Sequence, residues 1–160
     1  MPLLISDANI FIDLEEGGLI AELFQLPHEI MTPDILYEEE LDEQHAHLLE
    51  MGLRLGELTP DTMIDAYRLI ETYRDPGSND CFAMALARQE QSPLLTGDNA
   101  LRNAAASEGI EVRGTLWVVE ALVTQGVITK RRAESAYKRM KSSGRRLPWR
   151  QAFERLAGIR

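Results

Sequence analysis

The chain has 160 residues, 44% of them hydrophobic, which predicts one domain with a sizeable core. Its net charge of -9 conceals a division: residues 1–129 carry 24 acids against 6 bases, and residues 130–160 carry 2 against 11. No stretch approaches the roughly 20 apolar residues of a membrane span, and the single Cys81 has no disulfide partner, which excludes a membrane-embedded or disulfide-stapled chain and predicts a soluble, cytoplasmic one.

Residues 2–6 read as a short buried strand, and Ile10, Phe11 and Leu14 give helical spacing after Asp7 until Gly17 and Gly18 stop it. A second short helix spans the apolar positions Leu19, Ile20, Leu23, Phe24 and Leu26. Residues 29–31 follow as a second strand. Thr32 then reads as a cap with Pro33 at the first helical position, opening a helix with Ile35, Leu36 and Leu41 as its apolar positions. Glu38, Glu39 and Glu40 interrupt it, and Leu48, Leu49 and Leu53 extend a further helical piece. Thr59-Pro60 repeats the cap-then-proline signal ahead of Met63, Ala66, Tyr67, Ile70 and Tyr73.

Residues 78–102 are the centre of the pattern. Ser78 is the expected N-cap of an Ala-rich helix with Asp80 in its first turn, and Phe82, Ala85, Leu86 and Gln89 mark an inward face. Residues 93–96 form a short strand, and Gly97-Asp98 closes it and opens the next helix. A last strand at residues 110–113 leads to a helix with Leu116, Val119, Leu122 and Val123. From Thr129 the chain stays helical with two apolar stripes, Ala133, Ala136, Tyr137 and Met140, then Trp149, Phe153 and Leu156. These stripes need a surface, either the preceding domain or a second protomer. Alternating strands and helices without hairpin turns predict an α/β domain with a mainly parallel sheet.

Asp7, Asp80 and Asp98 each suit a helix start, where a carboxylate caps free N–H groups and meets the helix dipole. Right-handed crossovers, however, bring their strand and helix ends to one edge of a parallel sheet, where open α/β sheets place their sites. Glu38 lies one turn from Ile35 and Leu41, nearer the inward face than a solvated acid; Glu39 is the alternative. Clustered carboxylates repel, and a hard divalent cation relieves the conflict, so the all-oxygen donor set points to Mg²⁺ or Mn²⁺. His45 and His47 are expected on different sides of a helix, as surface residues, and His28 stands alone.

These residues resemble the PIN-domain family of metal-dependent ribonucleases, including the VapC-like toxins of toxin–antitoxin pairs. Residues 5–13 look like the family's first strand and acid, residues 33–38 like its second-acid helix, and Asn79-Asp80 and Leu94-Leu95-Thr96-Gly97-Asp98 like the third and fourth. The resemblance implies a three-layer fold with a central five-stranded parallel sheet flanked by helices, over residues 1–128. Residues 129–160 are then a basic helical extension packed on the domain or a partner. It further implies an endoribonuclease, a hydrolase, whose Asp7, Glu38, Asp80 and Asp98 hold one or two ions, with Ser6, Asn9 and Thr96 orienting them. Arg102, Lys138, Arg139 and Lys141 are the expected RNA-phosphate contacts. A cognate antitoxin or a homodimer is the expected partner; the alternative is a catalytically weak protein-interaction module. A phosphoacceptor receiver domain fits less well, because Ala8 follows Asp7 and residues 110–115 contain no Lys.

Overall fold

Five short runs pair in parallel as one sheet in the computed structural model, which describes all residues 1–160. They are β1 (Leu3–Ser6), β2 (Glu29–Pro33), β3 (Arg54–Gly56), β4 (Leu94–Leu95) and β5 (Val112–Arg113), in the order β3-β2-β1-β4-β5. Leu3 to Ile5 align with Glu29 to Met31, and Ile5 and Ser6 with Leu94 and Leu95, so β1 is central. β1, β2 and β4 are almost wholly buried because helices cover both faces of the sheet, as parallel sheets require.

Right-handed crossovers set which helix covers which face. From β1 the chain passes through α1 (Ala8–Glu16) and α2 (Ile20–Leu23) to β2, then through α3 (Asp34–Leu36), a π-turn at Tyr37–Leu41, α4 (Asp42–His45) and α5 (His47–Met51) to β3. It then crosses the sheet by α6 (Pro60–Thr72) and α7 (Ser78–Gln89) to β4, and returns by α8 (Asn99–Ser107) to β5. α7 lies against β1, β2 and β4 with α6 outside it. Every residue from Cys81 to Ala87 is buried, so α7 is a core helix on all sides and its Ala-rich composition is a packing requirement. No helix is long and apolar enough to cross a membrane.

Three local details depart from the sequence expectation. Thr32 and Pro33 finish β2: the Thr32 hydroxyl donates across to the Ser6 carbonyl at 2.8 Å, Pro33 is the N-cap position with no side-chain cap, and the helix begins at Asp34. Gly77, and not Ser78, is the N-cap of α7. Leu53 belongs to no helix: Gly52, at φ 120°, ends α5 in the left-handed region, and residues 54–56 beyond it become edge strand β3. Gly56 in that strand sits where a Cβ would lie 2.6 Å from Met31 Sδ and 2.8 Å from Leu86 Cδ2.

The remaining helices are α9 (Thr115–Thr124), α10 (Lys130–Ser142) and α11 (Trp149–Ala157). α10 packs on α1, α9 and α11, so its stripe is spent inside the chain and not on a second protomer. Ala133, Ala136, Tyr137 and Met140 are all buried. The Tyr137 ring meets Trp149 and Phe153 edge-on, with centroids 6.0 and 5.7 Å apart. Polar ties add to this: Arg132 Nη2 donates to Glu22 at 2.7 Å, and Arg155 Nη2 to Glu120 at 2.6 Å.

The Tyr137 hydroxyl is buried without a hydrogen-bond partner, and burial pushes its pKa up. Removing it while keeping the ring should therefore cost nothing. In urea unfolding, Tyr137→Phe is expected to equal the wild type or exceed it by about 1 kcal/mol. Tyr137→Ala should lose about 3–5 kcal/mol, because it leaves a cavity between α10 and α11.

Candidate active site

The sheet reverses its winding between β1 and β4, and a crevice opens beyond their carboxyl ends. Asp7 follows β1 there, fully buried, with its amide donating to the Leu95 carbonyl at 3.1 Å. Its carboxylate accepts from Ile10 N at 3.1 Å, as the N-cap of α1, and from Thr96 Oγ1 at 2.5 Å. Thr96 in turn accepts from the Asp98 amide at 3.0 Å, so a single buried hydroxyl links the first acid to the last. Ser6 Oγ donates to the Asp7 carbonyl at 2.9 Å.

Asp98 and Asp80 also spend one oxygen each on a helix start. Asp98 Oδ1 accepts from Ala100 N at 3.0 Å, and Asp80 Oδ2 from Gly77 N at 3.1 Å. Capping and clustering are thus not alternatives here, since the cap fixes one oxygen and leaves the other without a protein donor. Burial first, then the charges of Asp80 and Asp13, push Asp7 up to about 7. Asp80 is raised by burial and by the charges of Asp98 and Glu40. Asp80 thus stands between Asp7 on one side and Asp98 and Glu40 on the other.

Glu38 is exposed and makes no hydrogen bond or ion pair within the chain. All three residues of the triplet are exposed, but Glu40 is the one beside the cluster, where its Oε2 accepts from Asn79 Nδ2 at 3.0 Å. The π-turn over Tyr37–Leu41 widens the helix here, whereas helical spacing from Ile35 presumes 3.6 residues per turn. Glu39 makes no contact with the cluster that the structure records.

Asp13 is a buried acid that sequence reasoning passed over. It accepts from Thr115 Oγ1 at 2.7 Å and from Arg145 Nε at 2.6 Å, and Arg145 Nη2 reaches Asn9 Oδ1 at 3.4 Å. Its signal was an acid between Ile10 and Leu14 on the buried side of α1. Asn9 therefore holds the tail and touches no acid of the cluster. A polar cleft of about 420 Å³ lies between Asp98, Asn9, Asp13 and Arg145-Arg146.

A larger cavity of about 770 Å³ adjoins it, with Gly97, Asn99, Arg102, Arg113, Arg146 and Arg155 in its wall. Arg113 stacks over Trp117 at 4.6 Å. Of the expected phosphate contacts, only Arg102 lies here. Lys138 pairs with Glu134, and Arg139 lies over Gly18, at the opposite end of α1 from Asp7. Lys141 is exposed on the same helix.

The histidines also depart from expectation. Ala46 separates α4 from α5, so His45 and His47 are not on one continuous helix, and both reach Glu15, at 2.6 and 3.1 Å. His28 packs edge-on against Trp117.

The raised Asp7 has a consequence for stability. Below its unfolded value of 3.8 the carboxyl is protonated folded or unfolded; above that, folding holds a proton the unfolded chain has released. Ionising it inside costs stability as pH rises from about 4 to about 7, with no further loss above. In chelator, the unfolding free energy of the wild type should fall by up to about 4 kcal/mol across that window. Asp7→Asn should flatten the decline, measured by urea titration at several pH values.

Residues 3–157 match the family model DUF3368, described as a PIN domain. No curated protein matches the chain. The matched span includes the tail and takes in Asp7, Glu40, Asp80 and Asp98 together with Thr96 and Arg145, and the five-stranded parallel sheet agrees with it. This chain belongs to the PIN-domain family, a family of nuclease type.

Proposed function

We propose that the protein is an endoribonuclease that hydrolyses RNA phosphodiester bonds with Mg²⁺ or Mn²⁺, and that it is the toxin of a toxin–antitoxin pair. The observation that carries the reading is the buried Asp7 carboxyl, pushed up to about 7, beside Asp80, which in turn feels the charges of Asp98 and Glu40. Such a group is comfortable protonated or beside a cation, and oxygen donors of this kind suit a small hard ion. Asp7 and Asp98 would hold it, joined by Asp80 and, in place of Glu38, Glu40.

When bound, the ion supplies a polarised phosphoryl oxygen and a water of lowered pKa. The chain does the rest. Thr96 holds the Asp7 carboxylate and the Asp98 backbone, and Ala100 N holds the Asp98 carboxylate, so neither acid has to be ordered when substrate arrives. Asp80, its pKa raised by burial, accepts the proton of the attacking water on the oxygen that Gly77 does not occupy. Arg102, Arg113 and Arg146 face the RNA phosphates beside Asp98, where an acidic pocket alone would repel them. Trp117 offers an aromatic face for a base.

The toxin role rests on the likeness to VapC-like toxins, and a cognate antitoxin would bind across the same crevice to block it. Ile64 and Tyr67, exposed on α6, supply an apolar face for a homodimer.

Purified protein is expected to cleave RNA with Mg²⁺ or Mn²⁺ and not in chelator. Asp7→Asn and Asp98→Asn should each lower the rate by about 100-fold or more with unchanged circular dichroism, and Glu40→Gln by about 10–100-fold. Glu38→Gln should stay within about twofold of wild type. Folded protein that binds neither ion by calorimetry would leave the protein-interaction reading in its place. In salt titrations of RNA binding to Asp98→Asn, Arg102→Gln and Arg146→Gln should each reduce the slope by about 1, and Lys138→Gln and Lys141→Gln should not change it.

A further inference from the structure

The far end of α1 carries a second set of ligating side chains that the acid cluster does not use. Glu15 occupies the last turn of α1, His45 the end of α4 and His47 the start of α5. Glu15 Oε2 lies 2.6 Å from His45 Nδ1, and Glu15 Oε1 lies 3.1 Å from His47 Nε2. One ligating atom from each of the three residues can be chosen so that all lie within 4.8 Å of one another. Glu15 follows Asp7 by eight residues, about 12 Å along the helix, so the two groups of ligands do not share an ion.

We propose that Glu15, His45 and His47 bind a transition-metal ion, Zn²⁺ foremost, which staples the end of α1 to the α4–α5 junction. Two imidazole nitrogens and one carboxylate make a donor set for zinc and its neighbours, where magnesium takes oxygen and water. Around a tetrahedral ion with bonds near 2.0–2.1 Å, ligand atoms stand about 3.3 Å apart, so spacings within 4.8 Å need adjust by no more than about 1.5 Å. Water completes the fourth position, since Glu15 and His47 are each about one-third exposed, at 34% and 37%.

The His45 corner argues against a simple ion pair. His45 Nδ1 and Glu15 Oε2 are both shut away from solvent and neither makes a hydrogen bond, although they face each other at contact distance. An unmade hydrogen bond between buried groups is costly. A metal ion between the two atoms satisfies both lone pairs at once. His47 adds a second nitrogen to the same carboxylate, and a carboxylate serving two imidazoles from separate helices is an arrangement that chain connectivity alone does not impose. The ion would hold α4 where the π-turn delivers Glu40 to the acid cluster, making it a positioning device separate from the reaction.

Cobalt(II) is the probe, titrated into the full chain in the presence of millimolar Mg²⁺, which occupies hard-oxygen sites. One equivalent is expected, with visible absorption bands of a four- or five-coordinate nitrogen–oxygen site, lost on adding Zn²⁺. His45→Gln and His47→Gln should each weaken Co²⁺ binding by about 100-fold, the upper end of what loss of even an outer-shell partner costs. Asp7→Asn and Asp98→Asn should bind it as wild type does, so failure of the nuclease reading would leave these results untouched. Zn²⁺ should also raise the melting temperature of wild type and of Asp98→Asn but not of either histidine variant. Folded wild type without the bands, or one-equivalent binding that survives both histidine substitutions, overturns the proposal.

Discussion

The Thr96 hydroxyl is the hinge of this architecture. It donates to Asp7 and accepts from the amide of Asp98, so the last residues of β1 and β4 are bonded through one buried atom. Parallel pairing of Ser6 with Leu95 brings the strand ends side by side, but pairing alone leaves the two carboxylates free to turn. The buried Thr96 hydroxyl fixes the Asp7 carboxylate and the Asp98 backbone, and the Ala100 amide holds the Asp98 carboxylate. Everything nearby adapts to that constraint: α1 and α8 start from these acids, and α7 brings Asp80 alongside.

The acidic body and basic tail become one surface by a similar economy. Asp13, buried in α1, would be intolerable unpaired, and Arg145 from the segment between α10 and α11 meets it. That single pair carries the tail past the crevice and leaves Arg146 in the wall of the larger cavity. The basic residues that run along α1, Arg132 and Arg139, instead serve its other end.

Most of the fold was legible because its signals are local. Buried strands stood out as apolar runs, α6 by Thr59 and Pro60, and α10 by a stripe in which each named residue proved buried. β3 was not legible: Arg54, Leu55 and Gly56 have no strand pattern, two of the three are exposed, and only the edge of β2 makes them a strand. Asp7, Asp80 and Asp98 could be read as acids at helix starts, which is where they lie. The bond between Glu40 and Asn79 could not, because it joins segments 39 residues apart and the intervening π-turn departs from helical spacing. Asp13 with Arg145, and Glu15 with the two histidines, depend on contacts between distant segments that no spacing rule encodes.

Three consecutive glutamates in the widened turn after α3 give this segment a form of redundancy. Losing one residue so that the turn contracts to ordinary helical pitch would leave the downstream residues close to their present register, and a glutamate would still stand directly ahead of Leu41. The chemistry presented at that point would be unchanged, because each neighbour carries the same carboxylate. Insertions and deletions that would be ruinous at Asp7 or Asp98 are thus cushioned here, and this is the stretch of the crevice where chain length can drift without loss of an acid.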